Sequence, residues 1–119
     1  MKIAITAQGK DLDSQVDPRF GRAAYILIVD IVDEKVEVLD NSENVNAFKG
    51  AGIQAAVMVG DSGADVLLTG FCGPNAFKTL AAAGVKVAND ASGTVKDALE
   101  AFKKGKVSFA DDSNVEGHW

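Results

Sequence analysis

Residues 64–88 read A-D-V-L-L-T-G-F-C-G-P-N-A-F-K-T-L-A-A-A-G-V-K-V-A, and the order of segments within them decides the fold. Ala64 to Thr69 is a short apolar strand, and Gly70 to Gly73 is a tight loop. Pro74 fits the first position of a helix, where its missing N–H costs nothing. That helix carries Phe77, Leu80 and Ala81 on one face and stops at Gly84, a residue suited to a left-handed cap. Val85 to Ala88 is a second short strand. A strand, a helix and a strand in so short a span form a crossover unit, which joins parallel neighbours and is right-handed.

Working outward, Ser92-Gly93-Thr94 opens another helix, in which Val95, Ala98, Leu99 and Phe102 recur at i, i+3, i+4 and i+7. Lys103 and Lys104 suit its last turn, and Gly105 follows. Upstream, Gly52 to Val59 is helical by the spacing of Ile53, Ala56 and Val57, with Gly60 and Gly63 expected to end it. Lys2 to Ala7, Ala23 to Ile31 and Val36 to Leu39 read as strands, the last two as a hairpin through Asp33-Glu34-Lys35. Two long polar loops remain, Gln8 to Arg22 and Asp40 to Gly50. Loops of this length in a small domain are unusual and are either mobile or functional.

The order is therefore β-β-β-α-β-α-β-α. A right-handed crossover sets the fourth strand beside the first. The expected α/β fold is a five-stranded mixed sheet in order 3-2-1-4-5, with only strand 2 antiparallel and three helices spread over both faces. That is the ribonuclease H-like arrangement. One domain over 1–106 accounts for these elements, with 107–119 as a C-terminal tail expected to be mobile. His118 and Trp119 fall in that tail.

The chain has 119 residues, net charge −5 and 47% hydrophobic residues, the profile of one globular domain. Its acidity argues against a nucleic-acid or anionic-membrane surface. The apolar run near 23–31 is far below the roughly 20 residues that span a bilayer. With one cysteine, Cys72, no disulfide can close within the chain. A cytoplasmic location is expected.

In this topology strands 1, 3, 4 and 5 end on one edge of the sheet, and their loops meet where connections leave in opposite directions. The only two arginines of the chain, Arg19 and Arg22, lie there, with Cys72 and both prolines. Guanidinium forks and helix N-termini preceded by Gly50, Gly73 and Gly93 suit an anion. Phe20 and Phe71 could cover it, and Asp17 could orient an arginine. The plainer reading is that these glycines and prolines only make turns. Cys72 precedes a helix N-terminus, which would favour a metal-binding thiolate, or it packs under its loop as a small hydrophobe.

Nuclease chemistry does not fit, because the first strand has no acid and the carboxylates do not converge. The single histidine lies in the tail, so no Ser-His-Asp arrangement forms. The residues point to a binding protein rather than an enzyme.

Asp17-Pro18-Arg19-Phe20-Gly21-Arg22-Ala23 resembles the D-x-R-F-G-R-A signature of the dinitrogenase iron-molybdenum cofactor biosynthesis family. Gly50-Ala51-Gly52-Ile53-Gln54-Ala55-Ala56 and residues 68–77 are similar to two further blocks, and the resemblance runs from Met1 to about Lys104. It implies a carrier of an anionic metal–sulfur cluster, either the molybdenum–copper sulfide of a stand-alone branch or an iron–molybdenum or iron–sulfur type. The residues it points to are Arg19, Phe20, Gly21, Arg22, Cys72, Gly73, Pro74 and Asn75, none with an assigned ligand role. Soft copper would favour Cys72 as the metal ligand if its thiolate is exposed, and a protein donor or acceptor of the cluster is the partner class implied. Two other readings use the same edge: a sensor of small anions or nucleotides, and a protein-interaction module.

Overall fold

The computed structural model describes residues 1–45 and 50–110. Its strands are β1 (Lys2–Ala7), β2 (Tyr25–Asp30), β3 (Val36–Asp40), β4 (Val66–Leu68) and β5 (Lys86–Ala88). Its helices are α1 (Ser42–Val45), α2 (Ala51–Asp61), α3 (Pro74–Ala82) and α4 (Val95–Lys103), with a 3-10 turn at Phe20–Arg22. The sheet order is β3-β2-β1-β4-β5. β2 is antiparallel to both its neighbours, and β1, β4 and β5 are parallel. The expected topology is the observed one.

Alternation along the strands divides the core in two. Ala4, Ile26, Ile28, Leu67 and Val87 face α2 and α3, where Ala55, Ala56, Val59, Ala76 and Leu80 meet them. Ile3, Ile5, Leu27, Val29, Val66 and Leu68 face the other way, toward Val95, Ala98 and Leu99 of α4. A sheet buried on both faces explains why its central strands are continuous apolar runs.

Two expectations need correction. The polar loop before α2 holds a fourth helix, the single turn α1, so the helices number four among the described residues. Its anchor is Asn41, fully buried, whose Nδ2 donates to Ala23 O at 2.8 Å and whose Oδ1 accepts from Asn44 Nδ2 at 2.7 Å. Secondly, Gly60 does not end α2, which continues to Asp61. Gly60 is there for contact: a Cβ on it would lie 3.0 Å from Ala83 Cβ at the end of α3, and one on Gly52 would lie 3.3 Å from Ala76 Cβ. The two helices pack closely through small residues.

At the C-terminal end, Phe109 bridges Ala88, and Ala110 N donates to Val87 O at 2.7 Å, so Phe109 and Ala110 pair with the end of β5. The remainder of the expected tail, 111–119 with His118 and Trp119, lies outside the described residues. Among the described residues no helix is long and apolar enough to cross a membrane.

Candidate functional site

The loop from Gln8 to Ala24 is the hub of the edge at which β1, β3, β4 and β5 end. Val16 N donates to Gly93 O at 2.9 Å and Val95 N donates to Ser14 O at 2.9 Å, tying the loop to the entrance of α4. Asn41 ties it to the turn after β3. Phe71 N donates to Pro18 O at 2.7 Å and Phe20 N donates to Phe71 O at 3.2 Å, so Arg19 and Phe71 lie side by side as a parallel bridge. The arginine loop and the cysteine loop are one surface.

What fixes that surface to the sheet is a buried polar relay that the sequence reading missed. Thr6 and Thr69, at the ends of adjacent central strands, are both fully buried with hydroxyls 2.9 Å apart. Thr6 Oγ1 donates to Asp17 O at 2.6 Å, and Asp17 N donates back to Thr6 O at 3.0 Å. Asp17, itself buried, accepts from Arg19 N at 3.0 Å and sits 3.9 Å from Arg19 Nε. Asp17 thus orients Arg19, as its position suggested. The ion pair itself is long and the arginine 53% exposed, so it contributes little to stability. The available sequence signal was a threonine near the end of each of two neighbouring apolar strands.

The expected site residues divide by exposure. Arg19 and Asn75 are exposed, and Arg22, Gly73 and Pro74 are half-buried. Phe20 is not a cover: at 2% exposure it belongs to the core beneath α2 and α3. Phe71, 38% exposed, is the aromatic at the surface. Gly21 supports the loop from below, since a Cβ there would lie 2.8 Å from Gly52 Cα in the first turn of α2.

Helix N-termini at this edge are not equivalent. α3 begins at Gly73 and Pro74 with no side-chain cap and no acid in its first turn, which leaves its positive end available. α2 begins likewise, at Gly50 with φ 81°. The expected third anion receiver, before α4, is closed. Thr94 Oγ1 accepts from Asp97 N at 3.1 Å while Asp97 Oδ2 accepts from Thr94 N at 3.0 Å, a reciprocal cap that brings a carboxylate to that end. Of the three helix entrances at this edge, those of α2 and α3 are the ones without a side-chain cap.

Cys72 also departs from the thiolate expectation. It is fully buried within the α2–α3 core, and burial pushes its thiol up to about 12 from an ordinary value of 9.0. Desolvation of the charged form outweighs the helix terminus that follows it. Among the described residues no group of three or more His, Cys, Asp and Glu could hold a metal ion. Cys72 is expected to resist iodoacetamide at pH 8 in the native protein and to react fully in urea, as mass spectrometry would show; equal rates would contradict this burial. Because the folded state holds the proton more tightly, the stability linked to this thiol is present below about pH 9 and declines as pH climbs toward 12.

The sequence pattern of the family described as dinitrogenase iron-molybdenum cofactor matches residues 1–105. The chain belongs to that family. Among solved structures, the apo form of the orange protein from Desulfovibrio gigas is 48% identical, with a TM-score of 0.93 and 96% of each chain covered. An NMR structure of a Thermotoga protein of the DUF35 family is 39% identical, with a TM-score of 0.80 and 91% of each chain covered. A Methanocaldococcus jannaschii protein at 18% identity and a TM-score of 0.71, covering 94% of this chain and 96% of its own, shares the fold. No curated protein sequence matches the chain. The segment Asp17 to Ala23 lies within the matched region, and the threonine–aspartate relay fixes it to β1 and β4.

Proposed function

We propose that this protein binds and carries an anionic metal–sulfur cluster at the joined arginine and cysteine loops. The observation that carries the reading is the Arg19–Phe71 bridge, which joins an exposed guanidinium to the segment leading into the uncapped terminus of α3. Membership of a cofactor-named family and similarity to the orange protein support a cluster as the cargo. The cargo we favour is a molybdenum–copper sulfide, with an iron–molybdenum or iron–sulfur cluster as the other member of the class.

A sulfide-rich polyanion needs fixed positive charge and weakly hydrated surroundings. Arg19 and Arg22 supply the charge, the N–H groups of the first turn of α3 at Asn75 supply oriented dipoles, and Phe71 supplies apolar cover. Gly73 and Pro74 let the backbone approach closely. Phe20 and Gly21 hold the loop in place from beneath. Cys72, protonated and enclosed, serves as packing under the site, so retention rests on charge and dipoles rather than a metal–thiolate bond. Such a cargo is held without covalent attachment and can be passed to a protein acceptor.

Anaerobic reconstitution with tetrathiomolybdate and copper(I), followed by desalting and visible absorption, tests this. The native protein is expected to retain a coloured cluster. The Arg19→Ala, Arg22→Ala double variant is expected to bind more weakly by a factor of about 10² to 10⁴, from two charge-assisted contacts of about 1.5–3 kcal/mol each. Unchanged retention in that variant would remove the arginines from the site. Stabilisation by inorganic phosphate or nucleotides but not by thiometallate, read as a shift in Tm, would favour the anion-sensor reading instead.

A further inference from the structure

On the opposite side of the same edge a second cleft, of about 440 Å³, opens between α4, the ends of β4 and β5, and the segment 106–110. We propose that it is a binding site for a small organic cation, an amine or amidine carried on an apolar body. Three observations converge there.

The first is an acceptor without a donor. Asn89 lines the cleft, and its Oδ1 is the buried side-chain polar atom that lacks a hydrogen-bond partner among the described residues. Buried carbonyl oxygens are nearly always satisfied, and an orphan beside a cavity marks a place for a donor from outside. Asn89 as a whole is half-buried, so its amide stands at the boundary between the cleft and the interior. The second is backbone conformation. Asp90 holds φ at 64°, one of two described non-glycine residues in the left-handed region, and is kept there by Asp90 N donating to Gly70 O at 3.2 Å. Residues so held cluster at ligand sites.

The third is the charge of the walls. Asp90 and Asp97 face Lys106 as the only described cation of the lining, so the carboxylates outnumber it. The Thr94 amide holds the Asp97 carboxyl below its ordinary range, so it is anionic at neutral pH. Leu68, Ala98 and Val107 supply an apolar bed. A cavity of this size, in which polar groups stand beside an apolar bed, fits a small molecule that is itself amphipathic. Its selectivity is the reverse of the arginine loop, and it stands whether or not that loop holds a cluster.

Benzamidine and benzoate have the same shape and opposite charge, which makes them the probes for a ¹H–¹⁵N NMR titration of the full chain. Benzamidine is expected to shift the amides of Ala91, Ala98, Ala101 and Ser108 saturably, and benzoate at equal concentration to leave them in place. Asn89→Leu is expected to weaken benzamidine at least tenfold without lowering Tm, since it removes an unsatisfied group. Ala101→Phe, which fills the cleft from α4, is expected to abolish the shifts even if Asn89→Leu does not fold. No saturable shift, equal response to benzoate, or native-like binding in both variants would overturn the proposal.

Discussion

Replacing Phe20 by alanine is expected to lower the stability of the domain by about 3–5 kcal/mol, the usual cost of emptying a buried aromatic site. That is a large share of the roughly 5–15 kcal/mol that holds a domain together. Phe20 is 2% exposed and belongs to the core formed with Ala55, Ala56, Cys72, Ala76 and Leu80, although it stands between the two arginines in sequence. Its ring therefore pins the arginine loop to the α2–α3 face of the sheet. Urea denaturation followed by circular dichroism gives the cost as a drop in midpoint at unchanged slope. Phe20→Leu, which keeps most of the volume, should cost a fraction of that. A Phe20→Ala midpoint equal to that of the native protein would mean that the ring is not part of the core. The same variant should also weaken cluster retention, because the guanidiniums lose the support beneath them.

Phe20 also shows why one part of the site was legible in the sequence and another was not. The topology could be read because its evidence is local: apolar runs of strand length, helix periodicity and glycine or proline at each boundary. From topology alone the Gln8–Arg22 loop and the Phe71–Cys72 loop had to share an edge, and the Arg19–Phe71 bridge bears that out. What could not be read is which way a loop side chain turns. Phe20 turns inward and Phe71 outward, though both sit in polar, glycine-containing segments. Cys72 precedes a helix terminus, yet desolvation by the core overrides the dipole. Gly60 looked like a helix stop because the partner that requires it, Ala83, is 23 positions away and unrelated by any local pattern.

Gly70→Val is the second large effect, and it tests whether the two loops act as one surface. Gly70 is buried, and a Cβ on it would lie 2.6 Å from Pro18 O, 2.7 Å from Pro18 Cα and 2.9 Å from Pro18 Cβ. None of these atoms can swing aside, because Pro18 O already accepts from Phe71 N and the proline ring fixes its own backbone. The loops must part, which breaks the bonds between Pro18, Phe20 and Phe71. Overpacking of this kind costs about 1–3 kcal/mol, and valine should reach the upper end. Gly84→Ala is the control: open space surrounds it, but at φ +79° it too destabilises, by about 1 kcal/mol, through backbone conformation alone. Both variants should melt earlier than the native protein. Only Gly70→Val should also speed the alkylation of Cys72 and release the cluster, although it alters no charge. If it retains cluster like the native protein, with Cys72 still protected, the two loops do not depend on each other and the cargo must be held by the arginine loop alone.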